Sequence, residues 1–417
     1  MNKKADPIDR RNFLKAVGAA GLGSVLAGCR QRKKQQEPNA VESNAPKTPA
    51  QDQVAQMPKR ILGKTGAEIP ALAFGTFQVD LDNQILLRRT LQLGVNFWDT
   101  AYNYGGGNSE LGIGKFLTKN PNARKDIFLV TKASGAKRPE EIEKRLQTSL
   151  KRMVTDHVDL YYGLHQCSNP ALMTDEVKQW AETAKKLKLI KYFGITFHQN
   201  MPRVLAAASK CPWIDAVMFP YNFRLMQDGE LQAAVESCHK AGIALIAMKV
   251  LGMGQKVETE ADKKLVKQFM DRGFDAEQAK IKLVLEDQRF ASACVGMKNV
   301  KVLNANVAAV LDKSELAAAD KVALAEYARS TCTGYCAGCA YICDSALPDA
   351  PYISDIMRYL MYYNSYGERD RARELFAQIP PGVRNKLATA DYSVVEGRCP
   401  QHLPVRELIG EALAKLA

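Results

Sequence analysis

The sequence predicts an α/β fold, a (β/α)8 TIM barrel followed by a small helical, cysteine-rich extension. From Pro58 onward, short apolar segments alternate with amphipathic segments, which is typical of a parallel α/β protein. Eight such pairs over about 250 residues suit a closed barrel, and five of the ten cysteines lie beyond them. The alternative is an open doubly wound sheet, but no glycine-rich dinucleotide fingerprint follows an early strand.

The first 29 residues are predicted to be a targeting segment and not part of the fold. Residues 9–15 (DRRNFLK) match a twin-arginine signature, and the apolar run 16–28 is too short and too glycine-rich to span a bilayer. Residues 26–29 (LAGC) resemble a lipoprotein processing box, so cleavage would leave Cys29 as a lipid-modified N-terminus; the alternative is an uncleaved amphipathic anchor. The sequence therefore predicts export by the twin-arginine route to the periplasm or cell envelope, with a membrane contact through the lipid on Cys29.

Residues 30–56 lack large apolar side chains and predict a disordered tether. The barrel is expected over residues 57–325 and the extension over residues 326–417. Residues 60–68 (RILGKTGAE) predict a small hairpin that plugs the floor of the barrel.

The barrel strands are predicted where short apolar runs stand between helical patterns. They lie near residues 71–75, 96–98, 127–132, 159–164, 192–195, 216–219, 244–249 and 293–295. Helices are predicted in the gaps, for example over residues 140–152, 175–187, 229–241 and 276–287. In the extension, residues 354–363 and 368–377 predict helices with a core of Tyr359, Tyr362, Tyr363 and Phe376.

Polar residues follow three of these strands at the same register. Asp99, Lys132 and His165 each come just after a predicted strand and are spaced 33 residues apart, one βα unit per step. The carboxyl ends of barrel strands converge on one face, so the three side chains are expected to share a pocket. Each residue alone has an ordinary explanation, as a helix cap, a rim charge or a core group. The occurrence of all three residues at the same register favours a catalytic site.

The residues around these positions resemble the aldo-keto reductase family. Residues 96–105 (NFWDTAYNYG) and 108–112 (NSELG) are similar to its signature, and residues 127–132 (IFLVTK) and 159–165 (DLYYGLH) to its third and fourth strands. The resemblance covers roughly residues 58–325. It implies a reductase whose catalytic tetrad is Asp99, Tyr104, Lys132 and His165.

The chemistry of carbonyl reduction agrees with the roles that the resemblance implies. Hydride transfer creates an alkoxide that needs a proton, and a phenol with a pKa of about 10 is a poor donor unless a cation makes its anion accessible. Lys132 would supply that charge to Tyr104, Asp99 would hold Lys132, and His165 would orient the substrate oxygen. Tyr102 is the nearest alternative candidate for the general acid, but it lies two residues from the motif position.

The family's contacts to a nicotinamide nucleotide are only partly present. The resemblance places apolar residues at four of them, Phe197, Met218, Met248 and Val302. NADP(H) is still expected, because hydride chemistry needs a carrier. Outside the cytoplasm it would be carried tightly bound and recycled in place. The candidate nucleotide-binding residues are Thr196, Asn222, Lys249, Gly252, Lys298 and Asn306.

The tail carries a cysteine pattern that favours an iron–sulfur cluster. Cys336, Cys339 and Cys343 have the spacings C-x₂-C and C-x₃-C, and the distant Cys399 is followed by proline. Ferredoxin-type [4Fe-4S] clusters use such a short run with a remote Cys-Pro, and the tail resembles the ferredoxin-like extension of some aldo-keto reductases. We predict these four cysteines as ligands, with Cys332 as the substitute for Cys399. Structural zinc and disulfides are the alternatives.

Two functions follow from these features. The first is an exported aldo/keto reductase-type oxidoreductase that acts on a small carbonyl or sugar-like substrate with NADP(H), its cluster being structural or a relay to a redox partner. The second is a nucleotide-independent electron-transfer or binding lipoprotein on a reductase barrel. The complete tetrad favours the first, and the missing nucleotide contacts favour the second.

No nucleic-acid partner is expected, although the formal net charge is +13. Residues 1–56 hold ten Lys and Arg against five Asp and Glu, which accounts for +5 of that charge. The rest is scattered, with no basic run beside stacking aromatics.

Overall fold

The computed structural model describes residues 56–252, 260–271, 275–330 and 335–417 of the 417-residue chain. The predicted signal with Cys29, the tether up to residue 55, and Cys332 lie outside the described residues. Residues 56–417 form one compact unit. In the described part of the chain, no helix has the length and apolar character needed to cross a membrane.

Eight parallel strands form a closed barrel, which confirms the predicted fold class. In chain order they are β3 (Leu72–Gly75), β4 (Phe97–Asp99), β5 (Phe128–Lys132), β6 (Val158–Leu164), β7 (Ile190–Thr196), β8 (Ala216–Pro220), β9 (Ala244–Met248) and β10 (Phe290–Gly296). Each strand pairs with the next, and β10 pairs with β3 to close the ring. Every residue of β6 is buried, as expected for a parallel strand covered on both faces.

A short antiparallel hairpin precedes the barrel, as predicted. Strand β1 (Lys59–Ile61) pairs with β2 (Glu68–Pro70). Leu62, between them, is fully buried among residues of the barrel interior. Arg60 donates a hydrogen bond of 2.7 Å to the carbonyl of Phe290, at the start of β10. The hairpin therefore covers the amino-terminal end of the barrel, opposite the end where barrel active sites lie.

Amphipathic helices surround the barrel. In chain order they are α1 (Gln84–Gln92), α2 (Asn108–Lys119), α3 (Pro139–Met153), α4 (Asp175–Lys186), α5 (Met201–Ala208), α6 (Gly229–Lys240), α7 (Glu260–Met270), α8 (Ala276–Glu286) and α9 (Val300–Leu311). Helix α4 shows why these segments are helical. Thr174 caps it by accepting a hydrogen bond from the amide of Val177, and Val177, Ala181 and Ala184 form a buried stripe at helical spacing.

Seven further helices follow α9 in the described residues. They are α10 (Ala318–Ser330), α11 (Ala340–Ala346), α12 (Ile353–Asn364), α13 (Arg369–Ala377), α14 (Pro381–Leu387), α15 (Ser393–Arg398) and α16 (Val405–Leu416). Helix α10 runs through residue 325, where the sequence places the end of the barrel, because its Leu324 and Tyr327 pack with Phe269 of α7. Helices α11 to α16 share a second core that includes Ile356 and Ile409.

The extension lies on the carboxyl end of the barrel, against the loop that follows β7. The amide of Asn200 donates to the carbonyl of Gly338 at 2.7 Å, and Nε2 of Gln199 donates to Oγ of Ser354 at 3.1 Å. Gly338 has a φ of +81°, and a side chain there would collide with the carbonyl of His198. Only glycine allows this close approach of the two backbones.

Candidate active site

The structure brings the predicted tetrad together at the carboxyl ends of three neighbouring strands. Asp99 ends β4, Lys132 ends β5 and His165 follows β6. The Lys132 ammonium donates hydrogen bonds to Oδ2 of Asp99 at 2.6 Å and to the carbonyl of Thr100 at 2.8 Å. It also lies 3.4 Å from the hydroxyl of Tyr104. One lysine thus links the carboxylate to the phenol.

The protonation states of this group suit a proton donor. Burial lowers the pKa of Lys132, but the interactions with Asp99 and Tyr104 together outweigh this effect and leave the pKa above its ordinary value. The lysine is therefore charged at neutral pH. Burial raises the pKa of Tyr104 by more than the charge of Lys132 lowers it, so the phenol keeps its proton. A neutral phenol beside a fixed ammonium can act as a general acid whose anion is stabilised once it forms.

His165 is held by a hydroxyl that the sequence analysis missed. Its Nδ1 lies 2.9 Å from Oγ of Ser134, and Ser134 donates to Oδ1 of Asn103 at 2.7 Å. Burial, then the positive charges of Lys132 and Arg371, lower the pKa of His165 well below its ordinary value, so the ring is neutral. Because Ser134 gives its hydrogen to Asn103, Nδ1 of the neutral ring donates to Ser134, and Nε2 is left as a hydrogen-bond acceptor. In the sequence, the position of Ser134 two residues after Lys132 is the feature that could have indicated its place in the site.

A cavity of about 440 Å³ opens above the tetrad, and both the barrel and the extension line it. Asp99, Tyr104 and His165 lie at the barrel side. The extension contributes Tyr362, Tyr366, Glu368 and Arg371. Tyr362 is buried as predicted, but it also lines this cavity, because α12 faces the barrel mouth as well as its own core.

A buried ion pair positions the loop that carries Tyr104. Arg152 donates to the carbonyl of Tyr102 at 2.7 Å and to Oε2 of Glu110 at 3.0 Å, and the fully buried Glu110 also accepts from Oγ1 of Thr131 at 2.7 Å. The guanidinium of Arg152 stacks 4.5 Å from the ring centroid of Tyr102. Tyr102 is therefore engaged with an arginine, while Tyr104 lines the cavity.

Three of the predicted nucleotide-binding residues are engaged by the protein itself. Asn222 donates to the hydroxyl of Tyr335 at 3.0 Å and to the carbonyl of Lys249 at 3.1 Å, so its amide ties the extension to the barrel. Thr196 accepts a hydrogen bond of 3.2 Å from the amide of Gln166. Gly252 has a φ of +59° and leaves no room for a side chain beside the ring of Phe223.

The other three predicted residues have polar groups that a ligand could use. Lys298 is exposed and lines the cavity. The Lys249 ammonium also faces the cavity and lies 4.8 Å and 4.4 Å from the ring centroids of Tyr362 and Tyr366. Nδ2 of Asn306 is buried and has no hydrogen-bond partner among the described residues. Such a group is costly to bury unless a ligand or water satisfies it.

Four cysteines of the extension lie near one another. Cys336 and Cys339 precede α11, Cys343 lies within it, and Cys399 follows α15, which packs against α11. Burial raises the pKa of both Cys339 and Cys343 to about 12, with smaller contributions from the other thiols of this group. All the cysteines of the described residues are free, and no three His, Cys, Asp or Glu side chains there are arranged to hold a metal ion. The four thiols interact electrostatically without forming a preassembled metal site.

The barrel is closed and parallel, and a carboxylate, a lysine and a phenol are linked at its carboxyl end. This combination is typical of oxidoreductases that act on carbonyl compounds. The chain belongs to the aldo/keto reductase family, whose profile matches residues 71–324. The match ends before the cysteine-rich part of the extension.

Relatives agree with this assignment. The chain is 30% identical over 221 residues to the aldo-keto reductase yakc [NADP(+)] of Schizosaccharomyces pombe, covering 48% of this chain and 62% of that protein. It is 26% identical over 292 residues to L-galactose dehydrogenase of Arabidopsis thaliana, covering 62% of this chain and 89% of the relative.

Solved structures share the barrel. The thermostable aldo-keto reductase Tm1743, solved with the inhibitor epalrestat, matches with a TM-score of 0.55 and 27% identity over 65% of this chain and 100% of its own. The holo form of aldo-keto reductase AKR11C1 from Bacillus halodurans matches with a TM-score of 0.55 and 22% identity over 65% of this chain and 96% of its own, which shows a shared fold.

Proposed function

We propose that this protein is an exported aldo/keto reductase-type oxidoreductase that acts on a small carbonyl or sugar-like substrate with NADP(H). The observation that carries the proposal is the position of Lys132, which lies 2.6 Å from Asp99 and 3.4 Å from the Tyr104 hydroxyl, behind the wall that Asp99 and Tyr104 form in a cavity of about 440 Å³. The names of two relatives, a reductase marked NADP(+) and a sugar dehydrogenase, support the choice of cofactor and substrate class.

In the direction of reduction, the Tyr104 hydroxyl gives its proton to the substrate oxygen. The Lys132 ammonium stabilises the phenolate that remains, and Asp99 keeps Lys132 charged and in place. The His165 ring lines the same wall of the cavity and limits how the substrate can lie beside Tyr104. NADP(H), when bound, supplies the hydride. In the direction of oxidation, the phenolate of Tyr104 takes the hydroxyl proton of the substrate.

The residues around the cavity fit a bound nucleotide in part. Lys298 lines the cavity and offers a cation for a phosphate group. The amide of Asn306 on α9 is not among the cavity-lining residues, but it is buried and unpartnered among the described residues and offers a donor to a ligand that reaches this helix. At the nicotinamide end, Met218 and Met248 line the cavity. The nucleotide would therefore be held mainly through its adenosine and phosphate groups.

Nucleotide binding tests this proposal directly. Denatured, freshly purified protein should release NADP(H), and Lys298→Met should raise the Kd for NADPH about tenfold, because a charge-assisted hydrogen bond is lost. Lys301→Met is the matched control, since Lys301 is also exposed but does not line the cavity. Titration calorimetry gives both constants. Protein without nucleotide and without affinity for NADPH would replace the proposal by the nucleotide-independent function, which the engagement of Asn222 by Tyr335 favours.

The proposal includes an iron–sulfur cluster in the extension, held by Cys336, Cys339, Cys343 and Cys399. The grouping of four buried or half-buried thiols supports it, as does the backbone amide of Gly338, which lowers the pKa of Cys336 against the effect of burial. Amide donors of this kind stabilise thiolates that bear a metal. When bound, the cluster would order the extension or exchange single electrons with a redox partner.

Export and lipid attachment rest on residues 9–15 and 26–29. Replacing Arg10 and Arg11 with lysine should retain the protein in the cytoplasm, whereas Arg30→Lys, outside the signature, should not. Cys29→Ala should abolish lipid attachment and release the exported protein from the membrane fraction. Cell fractionation and metabolic labelling with a radioactive fatty acid measure both effects. Normal export of the double-lysine variant would remove the assignment of compartment.

A further inference from the structure

Three cations meet around one tyrosine in the catalytic cavity. The Lys249 ammonium and the Arg371 guanidinium lie 4.8 Å and 5.3 Å from the ring centroid of Tyr362. Arg358 stands one helical turn before Tyr362 on α12. Two of these cations come from the extension and one from the barrel, so this group exists only when the extension is docked.

The electrostatic potential at this tyrosine is positive. Burial alone would raise the pKa of Tyr362, yet the charges of Lys249, Arg358 and Arg371 bring it below its ordinary value. Arg371 and Arg358 also lower the pKa of His165. The positive region therefore reaches from Tyr362 to the tetrad.

Two of the three cations are incompletely neutralised. Arg358 has an ion pair of 2.6 Å with Asp355. Arg371 has a single, longer contact of 3.8 Å with Glu368, and burial raises the pKa of that carboxyl. Among the described residues, no carboxylate lies within ion-pair distance of the Lys249 ammonium, which contacts aromatic rings instead.

The backbone at Lys249 supports a binding role. Its φ of +55° lies in the left-handed region, which is unfavourable for a lysine. Strained residues of this kind persist only when the surrounding structure holds them, and they are common at ligand-binding sites. Here the strain accompanies a lysine that faces the cavity.

The distances limit where a bound anion would sit. The guanidinium carbon of Arg371 is 4.3 Å from the ring centroid of Phe77 and 6.0 Å from that of Tyr104. In a substrate whose anionic group is bound by Arg371 and whose carbonyl group lies at the Tyr104 hydroxyl, only a few bonds would therefore separate the two groups. The planar guanidinium suits a carboxylate or a phosphate in two-point contact.

We propose that the substrate is a carbonyl compound with an anionic group, a carboxylate or a phosphate ester, close to the carbonyl, and that Arg371 with Lys249 binds this group. The carbonyl part of this inference rests on the proposed function. The extension then has a direct role in substrate choice, because it places Arg371 in the cavity.

The test compares substrates that share a carbonyl and differ in charge. Wild-type protein, Arg371→Met and Arg373→Met would be assayed with glyoxylate against methyl glyoxylate, and with glyceraldehyde 3-phosphate against glyceraldehyde. Arg373 is a matched control because it lies on the same helix but contacts Tyr363 and Lys415 outside the cavity. We expect wild type to prefer the charged member of at least one pair. Arg371→Met should reduce that preference in kcat/KM about tenfold or more, mainly through KM, and Arg373→Met should not.

A second measurement does not depend on turnover. Titration calorimetry with oxalate and with inorganic phosphate should show binding to wild type that weakens about tenfold in Arg371→Met, and it separates the carboxylate from the phosphate. If no carbonyl compound is reduced while an anion still binds through Arg371, the proposed function fails and the anion site stands. Reduction of charged and neutral substrates with equal preference in all three proteins would overturn the inference alone. A loss of NADPH affinity in Arg371→Met, without a change in substrate preference, would likewise overturn it by assigning Arg371 to the nucleotide.

Discussion

Tyr104→Phe should lower the turnover of a carbonyl substrate by a factor of ~10²–10⁴, the usual contribution of a positioned acid. The substitution removes only the hydroxyl that lies 3.4 Å from the Lys132 ammonium and leaves the ring against Phe77. Steady-state kinetics and a thermal melt together separate the loss of the proton from a loss of fold. Tyr102→Phe is the matched control, because the Tyr102 ring stacks on Arg152.

The pH profile offers a second measurement on the same pair of variants. Tyr104 must carry its proton to donate it, and burial raises its pKa. The rate of carbonyl reduction should therefore be constant through neutral pH and should decline only as the pH rises through that raised pKa. The pKa of His165 is lowered, so any loss of activity caused by protonation of this ring should begin at a pH below the ordinary pKa range of histidine. Full activity in Tyr104→Phe, or equal losses in the two variants, would show that the tetrad does not work as proposed.

Cys339→Ser should remove the colour of the protein and loosen its extension. Thiolate-bound iron–sulfur clusters absorb visible light through sulfur-to-iron charge transfer, whereas zinc thiolates and disulfides do not. Anaerobically purified wild type should be brown, should contain iron and acid-labile sulfide, and should bleach with dithionite if the cluster is redox-active. Because metal binding and folding are coupled, the variant should become protease-sensitive over residues 330–417 and keep an intact barrel. Cys211→Ser, in a partly exposed barrel cysteine, should change nothing.

The fourth ligand follows from the same assay. Cys399 lies close enough to act on the pKa of Cys336, Cys339 and Cys343, so Cys399→Ser should match Cys339→Ser. Cys332→Ser should retain colour. The opposite result would assign the fourth position to Cys332. Colourless wild type with four zinc-bound thiolates, or with paired cysteines, would end the iron–sulfur proposal.

The barrel and the tetrad positions could be predicted from the sequence because local patterns determine them. Alternating apolar segments indicate strands and helices, and a residue at the carboxyl end of a barrel strand points toward one face wherever it lies in the chain. The positions of Asp99, Lys132 and His165 in the site could be predicted from these patterns alone.

The contribution of the extension to the site could not be predicted in this way. Residues 367–374 (GERDRARE) have the pattern of a solvated helix, and Arg371 reaches the cavity only because α13 packs over the barrel mouth. Asn222 has the sequence position of a nucleotide ligand, yet its partner is the hydroxyl of Tyr335, 113 residues away. Such contacts depend on how the extension packs on the barrel, which no local pattern specifies.

The docking of Gly338 against the loop after β7 has a consequence for the order of assembly. The contacts that fasten the extension join residues far apart in sequence, such as Gln199 with Ser354 over 155 positions. Because closing long loops costs entropy before the contacts repay it, these contacts form late in folding. Until they form, the mouth of the barrel is open and a nucleotide can enter. In a chain exported in the folded state, as proposed, entry of the nucleotide would therefore come before the docking of the extension.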